Sequence, residues 1–193
     1  MKITTTHLKL ITLIIASLML IQCNFTGYEN RTPEEKRSAI LQMQEEVLEE
    51  LFSAKPDVRA QISEAPGYAV FNNANINLIF ASFGGGVGLV HDNVHGIDTF
   101  MRMGEFGLGI GAGVKEFRVV FVFHDHDALE RFVERGWSFG GQADAAAKAG
   151  DLGVAVGGEA IFDNVTLYQL TQSGLALQAT IKGTRYWEYT ELN

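Results

Sequence analysis

Met103 to Phe123 reads MGEFGLGIGAGVKEFRVVFVF, and the fold turns on this stretch. Glycine stands at every second position, Gly107, Gly109, Gly111 and Gly113, and after a polar break at Lys115-Glu116 an apolar run extends from Phe117 to Phe123. Side chains alternate faces along a strand, so the spacing predicts a strand with bare backbone on one face and Leu108, Ile110, Ala112 and Val114 on the other. Glycine costs a strand backbone entropy and offers nothing to pack, so four in register ask for a close approach by another backbone or a bulky partner, or for strong coiling of a sheet toward closure. In the strand that follows, Phe117, Val119, Phe121 and Phe123 share one face and Val120 and Val122 the other, a pattern of burial on both faces. The two strands read as a hairpin at the middle of the core. A nucleotide loop is excluded, because neither this run nor Gly84-Gly85-Gly86-Val87-Gly88 spells GxGxxG or leads into GK[ST] ahead of a helix.

Working outward, 193 residues with 47% hydrophobic and 20% charged content suit one domain with an ample core plus an export segment. Residues 1–22 carry Lys2 and Lys9, then the apolar run Leu10 to Ile21, and no acid. That run is shorter than the ~20 residues of a spanning helix, so residues 1–22 read as a signal peptide. Cys23 is the only cysteine and stands where such a signal is cut, which rules out an internal disulfide. Leu20-Ile21-Gln22-Cys23 resembles the bacterial lipobox, although Gln22 occupies a place where that motif prefers a small residue; an ordinary signal with an incidental cysteine is the alternative. The resemblance implies lipid attachment at Cys23, and Asn24 after it implies the periplasmic side of an outer membrane.

The formal net charge is −8. Without Lys2 and Lys9, 13 of the 15 basic side chains remain against 23 acidic ones, and no stretch concentrates them. Such a field repels polyanions, so nucleic acid is not a partner.

Residues 23–31 read as a lipidated tether and 32–193 as the domain. Thr32-Pro33-Glu34-Glu35 predicts a helix start with Thr32 as N-cap and Glu35 completing a capping box. Ile40, Met43, Val47, Leu48 and Leu51 follow at helical spacing opposite Glu45, Glu46, Glu49 and Glu50, an acidic amphipathic helix that packs on a core rather than on a membrane. Pro56 opens a second short helix through Ile62. From Tyr68 the texture becomes β-like, over Tyr68 to Phe71, Ile76 to Phe83, Val87 to His91 and Val94 to Met103, with a turn at Asp92-Asn93. Asp127-Ala128-Leu129-Glu130 reads as a capping box for a helix ending at Gly136. Gln142 to Lys148 suits a further short helix, and Val165 to Leu170 with Leu175 to Ile181 a late hairpin around Thr171-Gln172-Ser173-Gly174.

Six blocks in unbroken order resemble the SYLF domain, a lipid-binding and actin-regulator-type family. They are Ala65 to Phe71, Phe83 to Gly88, Gly109 to Phe117, Trp137 to Ala147, Tyr168 to Leu177 and Lys182 to Trp187. The resemblance implies an α+β fold, a strongly curved, barrel-like antiparallel sheet flanked by helices, with lipid binding and no catalytic activity or cofactor. Val87 and Gln172 stand where relatives often carry a basic residue, so headgroup recognition does not transfer directly.

His91-Asp92-Asn93-Val94-His95 and His124-Asp125-His126-Asp127 are the clusters rich in ligand types, and in a strand His124 and His126 would share a face suited to zinc or copper. Neither cluster alone supplies a closed ligand set, so no metal is assigned. The chain lacks a G-x-S-x-G elbow, and its paired helix carboxylates sit on a solvated face, so it reads as no enzyme. Arg102, Lys115 and Arg118, beside Gly107, Gly109, Gly111 and Gly113, are the candidate lipid-phosphate residues, against pairing of those cations with Glu105 or Glu116. The leading reading is an envelope lipoprotein that binds membrane lipid; the alternative is a structural or assembly protein that binds another envelope protein, touching lipid only through Cys23.

Overall fold

A computed structural model of the chain describes residues 30–78, 81–108, 113–136, 138–139, 159–162, 164–171, 174–175 and 182–193. It divides into two compact units, Met1–Ser38 and Ala39–Asn193. In the first, the Thr32 amide donates to Glu35 Oε2 at 2.8 Å and the Glu35 amide to Thr32 Oγ1 at 3.2 Å. This is the reciprocal capping box expected from the sequence, and it starts helix α1, Pro33–Ala54. A second helix, α2, covers Val58–Glu64.

Four long strands follow: β1 Gly67–Leu78, β2 Ala81–Asp92, β3 Ile97–Leu108 and β4 Gly113–Phe123. Helix α3, His126–Arg135, comes next, and then β5 Ser138–Phe139, β6 Glu159–Phe162, β7 Val165–Thr171, β8 Gly174–Leu175 and β9 Lys182–Glu188. All described pairings are antiparallel, in the order β5-β9-β3-β2-β1-β4-β7-β6 with β8 beside β7.

The expected hairpin between the glycine run and the Phe117 run is not formed. Leu108 ends β3 and Gly113 begins β4, and residues 109–112 between them lie outside the described residues. Lys115 and Glu116 lie inside β4, opposite Asn75 and Ala74. Nor do β3 and β4 pair with each other, because β2 and β1 stand between them in a Greek-key order. Barrel-like closure is likewise not met, since a barrel needs its end strands joined and no described ladder joins β5 to β6.

In-register residues share a face, so Val70, Leu89, Phe100 and Val120 form one row and Phe71, Gly88, Met101 and Val119 the next, on the opposite side. On one face Phe71, Phe121, Phe123, Met101 and Met103 pack with Leu129 and Phe132 of α3 and with Tyr186 of β9. On the other, Val70, Val120, Val122, Tyr168 and Leu170 pack with Val47 and Leu51 of α1 and Val58 and Ile62 of α2. Ile40, Leu89, Phe100, Tyr189 and Leu192 extend that second layer. The burial expected on both faces of Phe117 to Phe123 is therefore met at Val119 to Phe123, all 4% exposed or less.

Close backbone approach also occurs, but on β2. A Cβ at Gly88 would lie 2.1 Å from the Val70 carbonyl oxygen and 2.5 Å from the Phe71 ring. Helix α3 is capped by Asp125, whose side chain accepts from the Ala128 amide at 2.6 Å, rather than by Asp127. Asp125 holds the extended backbone that an N-cap needs, while Asp127 falls in the first helical turn. Gly136 ends the helix at φ 62°, as expected. In the late hairpin Leu170 pairs with Leu175 and Thr171 with Gly174; residues 172–173, its strand beyond Leu175 and the helix expected at Gln142 to Lys148 lie outside the described residues. Among the described residues no helix is long and apolar enough to cross a membrane.

Candidate functional site

The sheet is longer than its cover on the face carrying α1 and α2. Val70, Leu89, Val120 and Val122 are buried on that face, whereas Asn72, Ala74 and Gly85 further along the same strands are exposed. Phe83 of β2 and Phe106 of β3 are directly opposed, each 51% exposed, with ring centroids 5.3 Å apart. Trp187 of β9, 40% exposed, lies across Gly104, where its Cη2 sits 3.0 Å from the position of a Cβ. A ring leaning on a glycine supplies the packing that the glycine lacks, and here it leaves an apolar surface of Phe83, Phe106 and Trp187.

Arginine borders this surface. Arg102 is opposite both Val87 and Trp187, and Arg118 is opposite Asn72, so both belong to one cross-sheet row and stand roughly 14 Å apart at three strand spacings. The Arg102 guanidinium lies 3.8 Å from the Tyr189 ring centroid, a cation–π contact. Arg118 pairs with Glu50 of α1 rather than with Glu116 or Glu105. Arg185, exposed and opposite Gly104, adds a third cation.

Lys115 lies in β4 opposite Asn75, and its side chain is outside those described. Gly107 and Gly113 are opposite Ser82 and Asn77, and Gly109 and Gly111 lie outside the described residues, as does Cys23. Sequence reasoning missed Phe83, Phe106 and Trp187. The odd-even phase that sets Arg102 with Phe106 and Arg118 is legible, but where the helices stop covering the sheet is not.

Glu105 faces the other way, into the core. It is 6% exposed and accepts from Asn73 Nδ2 at 2.9 Å, while Asn73 Oδ1 has no partner among the described residues. Burial pushes the Tyr186 hydroxyl far above the usual phenol range, and the Glu105 charge adds to the shift. Burial likewise raises Tyr68, with Asp98 adding to it and the hydrogen bond from Gln44 at 2.7 Å opposing it.

At the far end of the sheet the structure joins Asp92 and His95 of the first histidine cluster to His126 of the second. Asp92 ends β2, His95 lies in the 93–96 turn and His126 opens α3; one ligand atom from each lies within 4.8 Å of the others. Asp92 Oδ2 accepts from His95 Nδ1 at 2.8 Å and His126 Nε2 at 3.2 Å, and Oδ1 from the amides of Val94 and His95 at 2.8 and 3.0 Å. Burial alone would raise the Asp92 carboxyl, but these bonds outweigh it and hold the group well below the usual carboxylate range. His91 pairs with Asp98 at 2.6 Å and His124 with Thr166 Oγ1 at 2.7 Å, so neither joins the group. The Asn164 hydrogen bond, then the Ala128 amide, lowers Asp125.

The fold and surface define an α+β domain built on an antiparallel sheet, with an uncovered aromatic strip edged by arginine. Residues 104–193 match the Ysc84 family, described as Las17-binding protein actin regulator. Over that stretch the chain matches the model of the family that the six sequence blocks resemble, the SYLF family. It is also similar to Beta cell expansion factor A of Aeromonas veronii, 30% identical over 159 residues, which make up 81% of this chain and 59% of the relative. The chain thus spans about three fifths of the length of that curated relative.

Proposed function

We propose that this is a non-enzymatic envelope lipoprotein whose SYLF domain lies against a phospholipid surface through Phe83, Phe106 and Trp187. The observation that carries the reading is the uncovered half-face itself: three large aromatic side chains on adjoining strands, with Arg102, Arg118 and Arg185 around them. Aromatic rings settle at the boundary between acyl chains and headgroups, and arginine binds phosphate with a planar fork of donors. Lipidation at Cys23 would hold the domain at the periplasmic side of the outer membrane, bringing the strip within reach of lipid at high effective concentration. The excess of 23 acidic over 13 basic side chains outside residues 1–22 works against simple attraction to anionic lipid, so insertion of the rings supplies the larger share of the affinity.

Flotation of the Cys23→Ser chain with phosphatidylcholine vesicles, alone and doped with anionic lipid, tests this. The protein is expected to float with vesicles, and a Phe83→Ala, Phe106→Ala, Trp187→Ala variant to stay in the dense fraction. Equal flotation of the two would overturn the reading. Cross-linking to an envelope protein without flotation would replace it with the assembly role. Fractionation of cells carrying Cys23→Ser should move the protein out of the membrane pellet, and an unlipidated native mass would remove the anchor.

A further inference from the structure

We infer that Asp92, His95 and His126 form a binding site for one divalent transition-metal ion of the zinc class, clasping the β2–β3 turn to the start of α3. The donor set is two imidazoles and one carboxylate, which suits a borderline cation such as Zn2+ better than a hard one such as Mg2+. Tetrahedral zinc with bonds near 2.0–2.1 Å places its donors roughly 3.3 Å apart. The 2.8 Å and 3.2 Å separations from Asp92 Oδ2 to the two ring nitrogens lie close to that spacing, and the rings meet edge to face with centroids 5.3 Å apart. A metal ion would replace the two ring protons that now bridge the rings to the carboxylate.

The surroundings are those of a prepared site. Asp92 is fixed by two backbone amides on Oδ1, which leaves Oδ2 aimed at the rings. His126 turns its other nitrogen, Nδ1, toward Glu130 Oε1 at 3.4 Å, one helical turn along α3. A carboxylate behind a ligating histidine selects the tautomer with a free Nε2 lone pair and raises its basicity. The His95 side chain is 55% exposed, so the fourth position opens to water. Three protein ligands and a water is the open arrangement of zinc sites. Residues 95 and 126 lie far apart in sequence, so an ion here ties the hairpin tip to the helix that covers the aromatic core.

The test uses the full chain without a polyhistidine tag, stripped with EDTA and titrated with Zn2+ in a calorimeter. The expected result is one ion per chain, with affinity falling at least tenfold in His95→Ala and in His126→Ala and unchanged in His91→Ala and His124→Ala. Glu130→Gln should weaken binding by about tenfold without changing the stoichiometry. Zn2+ should raise the melting temperature of the wild type, reversibly with EDTA, and leave His95→Ala unmoved; His95 is an exposed turn residue, so this variant keeps the fold. No binding at millimolar Zn2+, retention of full affinity in both His95→Ala and His126→Ala, or equal loss in His91→Ala would each overturn the inference.

Discussion

The two halves of the long sheet are made of the same strands and differ in what lies on them. In the covered half, Val70, Phe71, Val120 and Phe121 are fully buried, because α3 packs on one face and α1 with α2 on the other. In the uncovered half, Phe83 and Phe106 stand half in solvent only a few residues along the same ladders. A soluble surface tolerates scattered apolar side chains, but paired phenylalanines beside a tryptophan form a patch of the kind that marks an interaction site. The covered half holds the fold together, and the uncovered half is available for binding.

The largest contrast should come from truncating one phenylalanine in each half. Phe121→Ala empties a site lined by Phe71, Phe132 and Tyr186 and is expected to cost ~3–5 kcal/mol in urea unfolding. Phe106→Ala should stay within ~0.5 kcal/mol of wild type while weakening vesicle flotation. Comparable losses at the two positions would mean that the uncovered half is buried after all.

Glycine gives a second contrast of the same kind. Gly88→Val forces a branched side chain against the Val70 carbonyl and the Phe71 ring, an overpacking expected to cost ~1–3 kcal/mol or more. At Gly85 the only atom of the described residues near a new Cβ is the Met103 carbonyl oxygen at 3.8 Å, so Gly85→Ala should melt within a degree or two of wild type. A neutral Gly88→Val would show that β1 and β2 do not approach as described.

The covered end also carries a pH signature. The folded Asp92 carboxyl titrates below its unfolded value near ~3.9, so it stabilises the fold above that pH and the contribution is lost as pH falls through the lower folded value. The stability gap between wild type and Asp92→Asn should therefore be wide at neutral pH and close in acid, as followed by urea melts. A gap that does not change with pH would contradict the hydrogen-bond account. The smallest effect belongs to Arg118 and Glu50, an ion pair with both side chains about a third exposed, on the border between the halves. Breaking it with Glu50→Gln should cost ~0–1 kcal/mol and free Arg118 for phosphate, strengthening flotation with anionic vesicles rather than weakening it.

Much of the local structure was legible. The Thr32–Glu35 box and the Gly136 stop depend on residues three or four apart, and the Leu170–Leu175 pairing on residues five apart. The N-cap of α3 was displaced because Asp125 and Asp127 both fit that role, and only the backbone angle at Asp125 separates them. Order within the sheet was not legible. β3 and β4 are neighbours in sequence and both apolar, yet β1 pairs with β4 because the β1–β3 meander leaves the far edge of β1 free. Phe83, Phe106 and Phe121 look alike in the sequence, and only the reach of the helices sets the first two apart. The Asp92, His95 and His126 group draws one part from a turn and another from a helix start, and no spacing rule connects them.

The Greek-key order also has a consequence in time. β1, β2 and β3 can zip together through neighbouring turns, but Gly67 must wait for Phe123, 56 residues further along, before its second edge is paired. Until β4 arrives, Tyr68-Ala69-Val70-Phe71 is an open, apolar strand edge able to template pairing with another chain. A molecule interrupted at that stage of folding is therefore most exposed to aggregation at the strand that ends up in the middle of the finished sheet.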